Sequence, residues 1–217
     1  MTAALDLRLY LVTDRDLAGP RGVIETVRMA IAGGVTLVQV RSPIAHGRDF
    51  VEEVRALKAL LAPAGIPLIV NDRIDVALAA DADGVHVGQS DIDPRDVRAM
   101  LGPGKIIGLS VGSPAEWNGS RAALAAADYI GTGPVFGTAT KQDAGAAIGT
   151  AGLAALVGLS PLPVVAIGGI GLANAAEVMR AGPRGIAVVS AIMAANDPTA
   201  SARALRSIVD AALEATR

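Results

Sequence analysis

Short runs of aliphatic and β-branched residues recur along the chain at Leu7 to Val12, Thr36 to Val40, Pro67 to Val70, Gly84 to Val87, Ile106 to Leu109, Tyr129 to Gly131, Val164 to Ile167 and Ile186 to Val189. They show little polar alternation, which marks strands buried on both faces. Between them apolar residues return at helical spacing, as at Val23, Val27 and Ile31, at Val51, Val54, Leu57 and Leu61, and at Ala204, Leu205, Ile208, Val209 and Leu213. The order is strand then helix throughout, so the class is α/β with a parallel sheet and helical crossovers. Eight such units in 217 residues fit a single (β/α)8 TIM barrel near its lower size limit, with a doubly wound open sheet as the alternative. Ala-Asp-Gly-Val-His at 82 to 86, Ala-Asp-Tyr-Ile-Gly at 127 to 131 and Pro-Arg-Gly-Ile-Ala at 183 to 187 enter their strands alike, as repeated βα units would. Finding neither a linker nor a low-complexity tract, we expect residues 1–217 to form one barrel domain.

Composition narrows the chemistry. Aromatic residues make up only 2% of the chain, so the core must be built from Ala, Val, Ile and Leu, packed closely with Gly. A formal net charge of -2 supplies no field for nonspecific attraction to nucleic acid or an anionic membrane, and any anion site must be local. Without Cys there is no disulfide framework, thiolate nucleophile or Cys-type zinc site, and a reducing cytoplasm is allowed. Met1 to Tyr10 carries Asp6 and Arg8 and lacks the apolar core of a signal peptide, so a cytoplasmic location is expected. Ala144 to Ala176 is free of charge, yet Gly149, Gly152, Gly158, Pro161, Pro163, Gly168, Gly169 and Gly171 divide it into a helix, a short strand and a turn rather than a membrane span.

In a βα barrel, the residues that end the strands converge on one mouth. Those found there are Gln39 and Arg41, Asn71 and Asp72, Asp91, Ser110, Thr138 with Thr140 and Lys141, Gly168 with Gly169, and Val189 with Ser190. Asp83 and Asp128 sit at strand starts and read as structural. The connection from Thr132 to Ile148 is the longest without a confident element. Its polar content, concentrated in an Ala-rich chain, suits a binding loop or lid, and Gly133, Gly137 and Gly145 would let it bend.

Gln39 and Arg41 are two apart on a strand and share its inward side, where an Arg needs an anion. That anion is either a structural carboxylate such as Asp72 or a phosphate or pyrophosphate held bidentately. Asp72 and Asp91, on neighbouring loops, either share a magnesium ion or cap the helices that follow them. Gly168-Gly169 and Val189-Ser190 occupy the positions where many barrels bind phosphate through backbone N–H groups; otherwise the glycines only make a tight turn. Lys141 stands out because the chain has three Lys against sixteen Arg, the other two being Lys58 and Lys105. His46 and His86 show no partner set suggesting a catalytic dyad, and Trp117 reads as packing.

These residues lie in segments that resemble the thiamine phosphate synthase family: Leu-Tyr-Leu-Val-Thr-Asp at 9 to 14, Gly-Gly-Val-Thr-Leu-Val-Gln-Val-Arg at 33 to 41, Ile-Val-Asn-Asp-Arg at 69 to 73, Ala-Asp-Gly-Val-His-Val-Gly-Gln-Ser-Asp at 82 to 91, Ile-Gly-Leu-Ser at 107 to 110, Tyr-Ile-Gly-Thr-Gly-Pro-Val-Phe-Gly-Thr-Ala-Thr-Lys at 129 to 141, Ala-Ile-Gly-Gly-Ile at 166 to 170 and Val-Val-Ser-Ala-Ile at 188 to 192. They span nearly the whole chain. The resemblance implies a transferase that joins hydroxymethylpyrimidine pyrophosphate to a thiazole phosphate, giving thiamine phosphate and pyrophosphate with Mg2+ as cofactor and small molecules as its partners; a homo-oligomer is left open. By matching position, Gln39, Arg41, Asn71 and Lys141 would hold the pyrimidine substrate and its pyrophosphate, and Asp72 and Asp91 the metal. Ser110 would sit near the reacting groups, and Thr138, Thr140, Gly169, Val189 and Ser190 would hold the thiazole phosphate. The family's reaction is thought to be dissociative, so Arg41, Ser110 and Lys141 would act by stabilising charge rather than as general bases.

Two positions depart from the pattern. Pro43 stands where the family usually has a second strand-two cation, for which Arg48 is the candidate substitute, and Gly112 stands where a His is often found. The first raises a thiazole tautomerase-like paralogue as an alternative. The second counts against it, because that isomerase relies on the His. A non-catalytic binder of thiamine intermediates is the third reading, opposed by the presence of both Asp72 and Asp91.

Overall fold

The computed structural model describes residues 5–42, 46–138, 140 and 145–215. Eight strands, β1 Leu9–Val12, β2 Leu37–Val40, β3 Leu68–Asn71, β4 Gly84–Val87, β5 Ile106–Ser110, β6 Tyr129–Thr132, β7 Val164–Ile167 and β8 Gly185–Val188, follow one another around a closed barrel. Every pairing is parallel, and β8 returns to β1 with Tyr10 opposite Ala187, which excludes the open sheet. The helices are α1 Arg15–Ala18, α2 Val23–Ala32, α3 Gly47–Leu61, α4 Ile74–Ala79, α5 Pro94–Leu101, α6 Pro114–Ser120, α7 Gly149–Leu159, α8 Ala175–Arg180, α9 Ser190–Met193 and α10 Pro198–Glu214.

Strand side chains alternate between two cores. Outward residues such as Leu11, Val38, Val70, Val85 and Ile107 pack against helix residues including Val27, Phe50, Leu57, Val178 and Leu205, all almost fully buried. Inward residues Tyr10, Val12, Leu37, Ile69, Tyr129, Val165 and Ala187 fill the barrel. Each fully buried aliphatic side chain contributes roughly 1.5–3 kcal/mol, so the two cores together hold the barrel without staples.

The N-terminal end of the barrel is stitched by charge. Asp83 accepts from the Leu68 N–H at 2.8 Å and Asp128 from the Ile107 N–H at 2.7 Å, the structural work expected of them. Arg8 bridges Asp6 and, at 3.0 Å, Asp210, which ties α10 to the start of β1. Lys105 and Lys58 both bind Asp81 and push its carboxyl down to about 2, so two of the three lysines are committed to this end.

At the opposite end, the long connection between β6 and α7 is pinned at both its described ends. The N–H groups of Val135 and Phe136 donate to the carbonyls of Ile167 (2.9 Å) and Gly168 (3.1 Å), and those of Ile148 and Gly149 donate to Pro134 (2.9 Å) and Val135 (3.0 Å). Its centre, including Lys141, lies outside the described residues, so the lid expectation does too, as does Pro43. The charge-free stretch becomes α7, β7 and the turn into α8, and among the described residues no helix is long and apolar enough to cross a membrane.

Candidate active site

Parallel strands end at one rim, and there a cavity of about 700 Å³ opens. It is lined by Gln39 and Arg41 from β2 and its exit, Asn71 and Asp72 from β3, Asp91 from the loop after β4, Ser110 from β5, Thr138 and Thr140 from the long connection, Gly168 and Gly169 after β7, and Val189 and Ser190 after β8. Every expected site residue that the structure describes therefore reaches one cavity. The period-2 rule is the reason: Leu37, Gln39 and Arg41 share one side of β2, and the same parity carries Asn71, His86 and Ser110 inward.

The local partners of the two carboxylates and of Arg41 are visible here. Neither Asp72 nor Asp91 caps a helix. The cap of α5 is Asp93, whose carboxylate accepts from the Arg95 N–H at 2.8 Å, while Asp91 accepts from the Gly88 N–H at 2.7 Å. Asp72 precedes α4, whose N-cap is Arg73 without a side-chain bond; the Asp72 carboxylate instead accepts from Asn71 Nδ2 at 2.6 Å. Its φ of 59° is a left-handed conformation uncommon outside Gly, and such strain persists where surroundings hold a residue in a needed place. Arg41 makes no ion pair with Asp72 or any other described residue, and its backbone N–H is held by Thr13 Oγ1 at 3.1 Å. The cation therefore faces the mouth without a structural counter-ion among the described residues.

The β7 and β8 exits form the opposite wall. Gly168 and Gly169 have φ of 102° and 63°; a Cβ on Gly169 would sit 2.7 Å from the Gly137 carbonyl oxygen, so the glycines also let the long connection rest on this turn. Asn174 braces the turn from outside, accepting from the Gly171 N–H at 2.8 Å and donating to the Gly169 carbonyl at 2.9 Å. Ser190 begins α9, whose first N–H groups have no partner within the helix.

Beneath the mouth lies a polar floor that sequence reasoning missed. Gln39 Nε2 donates to Tyr10 Oη at 2.7 Å, Tyr10 Oη meets Tyr129 Oη at 2.8 Å, and His86 joins Tyr129 Oη through Nδ1 and Ser110 Oγ through Nε2, both at 2.9 Å. Burial pushes the Tyr10 and Tyr129 hydroxyls well above the usual phenol range. His86, expected to have no telling partners, thus sits directly under Ser110. A signal was available: a His and two Tyr in strands buried on both faces must satisfy their polar atoms internally. The rings can meet because the register sets His86, Gly108 and Tyr129 side by side across β4, β5 and β6, and the middle residue has no side chain.

Three further residues enter or leave the picture. Arg48, the candidate substitute cation, lies exposed in the first turn of α3 and does not line the cavity, in keeping with a solvated helix-end Arg. Arg73 lines it instead, with its guanidinium bound to both oxygens of Asp75. Glu116 of α6 also reaches the mouth and accepts from the Gly112 N–H at 2.7 Å. Among the described residues no group of three or more His, Cys, Asp or Glu could hold a metal.

Comparison with known proteins agrees with this geometry. The model of the thiamine monophosphate synthase family matches residues 9–192. The chain belongs to that family. A thiamine-phosphate synthase of Xanthobacter autotrophicus is 59% identical over 98% of the chain and 100% of its own length, and one of Azorhizobium caulinodans is 56% identical over 97% and 98%. The solved thiamine phosphate pyrophosphorylase of Pyrococcus furiosus superposes with a TM-score of 0.86 at 40% identity, covering 97% of this chain and 98% of that one. Within the family the tautomerase-like alternative is not favoured. A Cβ on Gly112 would lie 2.7 Å from the Gly133 carbonyl oxygen, so a side chain has no room there without a backbone shift.

Proposed function

We propose that the chain is a thiamine-phosphate synthase whose mouth holds two anionic substrates on opposite walls, the pyrimidine pyrophosphate over β2 to β4 and the thiazole phosphate over β7 and β8. The observation that carries this reading is the division of one cavity into an Arg41, Asp72 and Asp91 wall and a Gly169, Val189 and Ser190 wall. Strands follow in sequence around the barrel, so these walls face each other and leave Ser110 between them.

On the first wall the Arg41 guanidinium binds pyrophosphate oxygens and offsets the charge that grows on them as the bond to the pyrimidine methylene breaks. Lys141 is assigned to the same anion from the sequence alone. Gln39 and Asn71 hold the pyrimidine. Two carboxylates together with substrate phosphate oxygens are a donor set that suits Mg2+, and the Asp72 and Asp91 pair fits it; the ion, when bound, would neutralise charge on the leaving pyrophosphate. On the second wall the Gly169, Val189 and Ser190 backbone, with Thr138 and Thr140, receives the thiazole phosphate. A shielded mouth keeps water from the cationic pyrimidine until the thiazole nitrogen reaches it. The composition, the small net charge and the absence of Cys fit a cytoplasmic enzyme of small-molecule substrates.

Purified protein given both substrates and magnesium should form thiamine phosphate and release pyrophosphate in equal amounts. Absence of product with both substrates bound would favour a non-catalytic binder, and interconversion of thiazole tautomers without condensation would favour the isomerase.

A further inference from the structure

The floor beneath the mouth is a single line of four hydrogen bonds from Gln39 through Tyr10, Tyr129 and His86 to Ser110. Gln39, Tyr10, His86 and Ser110 all border the cavity, and Tyr129 is fully buried beneath them. Such a line has a direction, because each phenol carries one proton and a neutral imidazole carries one. The Gln39 amide nitrogen only donates, so the Tyr10 oxygen accepts there; with the Tyr10 proton passed on to Tyr129, the line runs one way throughout. The Tyr129 proton then goes to His86 Nδ1, which leaves the ring proton on Nε2. That N–H donates to Ser110 Oγ, and the serine proton is turned away from His86 toward the cavity.

We propose that His86 is a positioning residue: held as the Nε2–H tautomer by Tyr129, it makes Ser110 a hydrogen-bond donor to the substrate while the same line leaves Gln39 presenting its carbonyl oxygen as an acceptor. The identity of the ligand rests on the synthase reading above. An aminopyrimidine offers ring-nitrogen acceptors and an amino donor, which matches a mouth holding the Ser110 donor and the Gln39 amide, whose carbonyl oxygen accepts and whose second N–H donates. An oxo analogue presents an acceptor where the amino donor belongs, so it is rejected by polarity rather than by size. Space is reserved for this arrangement by glycines: a Cβ on Gly108 would meet His86 Nδ1 at 2.3 Å, and one on Gly131 would meet His86 Cε1 at 2.9 Å.

Long-range ¹H–¹⁵N correlation of the imidazole rings in the ligand-free protein tests the polarity directly. The chain has two histidines, so a His46→Gln variant assigns His86. The expected spectrum shows His86 protonated at Nε2 with Nδ1 as an acceptor, and Tyr129→Phe, which keeps the ring and removes the donor, should shift it toward a mixture of tautomers. With both substrates, Tyr129→Phe should lower kcat about tenfold, the equivalent of one lost hydrogen bond, without moving the thiazole phosphate KM, and should narrow discrimination between the amino and oxo pyrimidines. His86→Gln, which can place an amide N–H near the Nε2 position, should retain more kcat than His86→Asn, whose shorter side chain cannot. An Nδ1–H tautomer in the parent, unchanged His86 signals in Tyr129→Phe, or equal losses for Gln and Asn in folded protein would each overturn the proposal. Failure of the parent to make thiamine phosphate would refute the synthase reading, and the nitrogen shifts would still decide the polarity.

Discussion

Replacing Gly108 by Ala adds one methyl group at the point where three strands meet side by side. The new Cβ would sit 2.3 Å from His86 Nδ1, 2.3 Å from Tyr129 Cζ and 2.4 Å from Tyr129 Oη. Carbon contacts settle near 3.5–4.0 Å, so each ring would have to retreat by roughly 1 Å. Neither strand can give way cheaply, since Gly108 is paired with His86 on one side and Tyr129 on the other. Overpacking of this kind costs about 1–3 kcal/mol, and separating a 2.9 Å bond by a further ångström leaves buried polar atoms without partners for about 1–3 kcal/mol more. The sum is about 2–6 kcal/mol, which in a chain of this size lowers the melting temperature by roughly 4–24 °C. Gly104→Ala is the matched control, because a Cβ there meets nothing within 4 Å. Thermal and urea unfolding of the two variants should separate them widely, with the control within about 2 °C of the parent. A Gly108→Ala protein that melts with the control would mean that the rings are not locked against this strand.

Asp72→Ala and Asp91→Ala should each lose activity by roughly a hundredfold or more and shift the magnesium dependence, because both carboxylates are proposed to hold the ion; parental magnesium titration in either variant would remove that residue from the site. Arg41→Ala should lose about 10–100-fold in kcat/KM, the worth of a charge-assisted bond, against less than about twofold for Arg48→Ala, and equal small losses would place the pyrophosphate elsewhere. Tyr10 and Tyr129 are held neutral by burial, so their stabilisation is fully present below the ordinary phenol value near 10 and is lost as pH rises from there toward their higher folded values. Unfolding free energies from urea titration should therefore fall above about pH 10, by up to about 1.4 kcal/mol per pH unit for each tyrosine, and the Tyr10→Phe and Tyr129→Phe double variant should lose that extra slope.

How much of this was legible in the chain depended on whether the information was local. Strand positions, the α/β class and the convergence of Gln39, Arg41, Asn71, Asp72, Asp91 and Ser110 on one mouth followed from period-2 patterning and strand order, since a parallel barrel sends every strand end to the same rim. Motif spacing over most of the chain indicated the family. What Asp72 and Asp91 do locally was not legible, because a carboxylate just before a helix looks like a cap until the backbone shows Asp93 in that place for α5 and a left-handed Asp72 before α4. The placing of Arg48 and Arg73 was hidden for the same reason: the rotation of α3 about its axis puts Arg48 in solvent, while the β3 exit turns Arg73 into the mouth. The floor was the least visible feature. Tyr10, His86 and Tyr129 are far apart in sequence, on strands β1, β4 and β6, and only barrel closure with the β4 to β6 register brings their polar atoms within 3 Å. Periodicity states which side of a strand a residue faces; the partner it finds there is set by register and curvature, which are properties of the closed sheet.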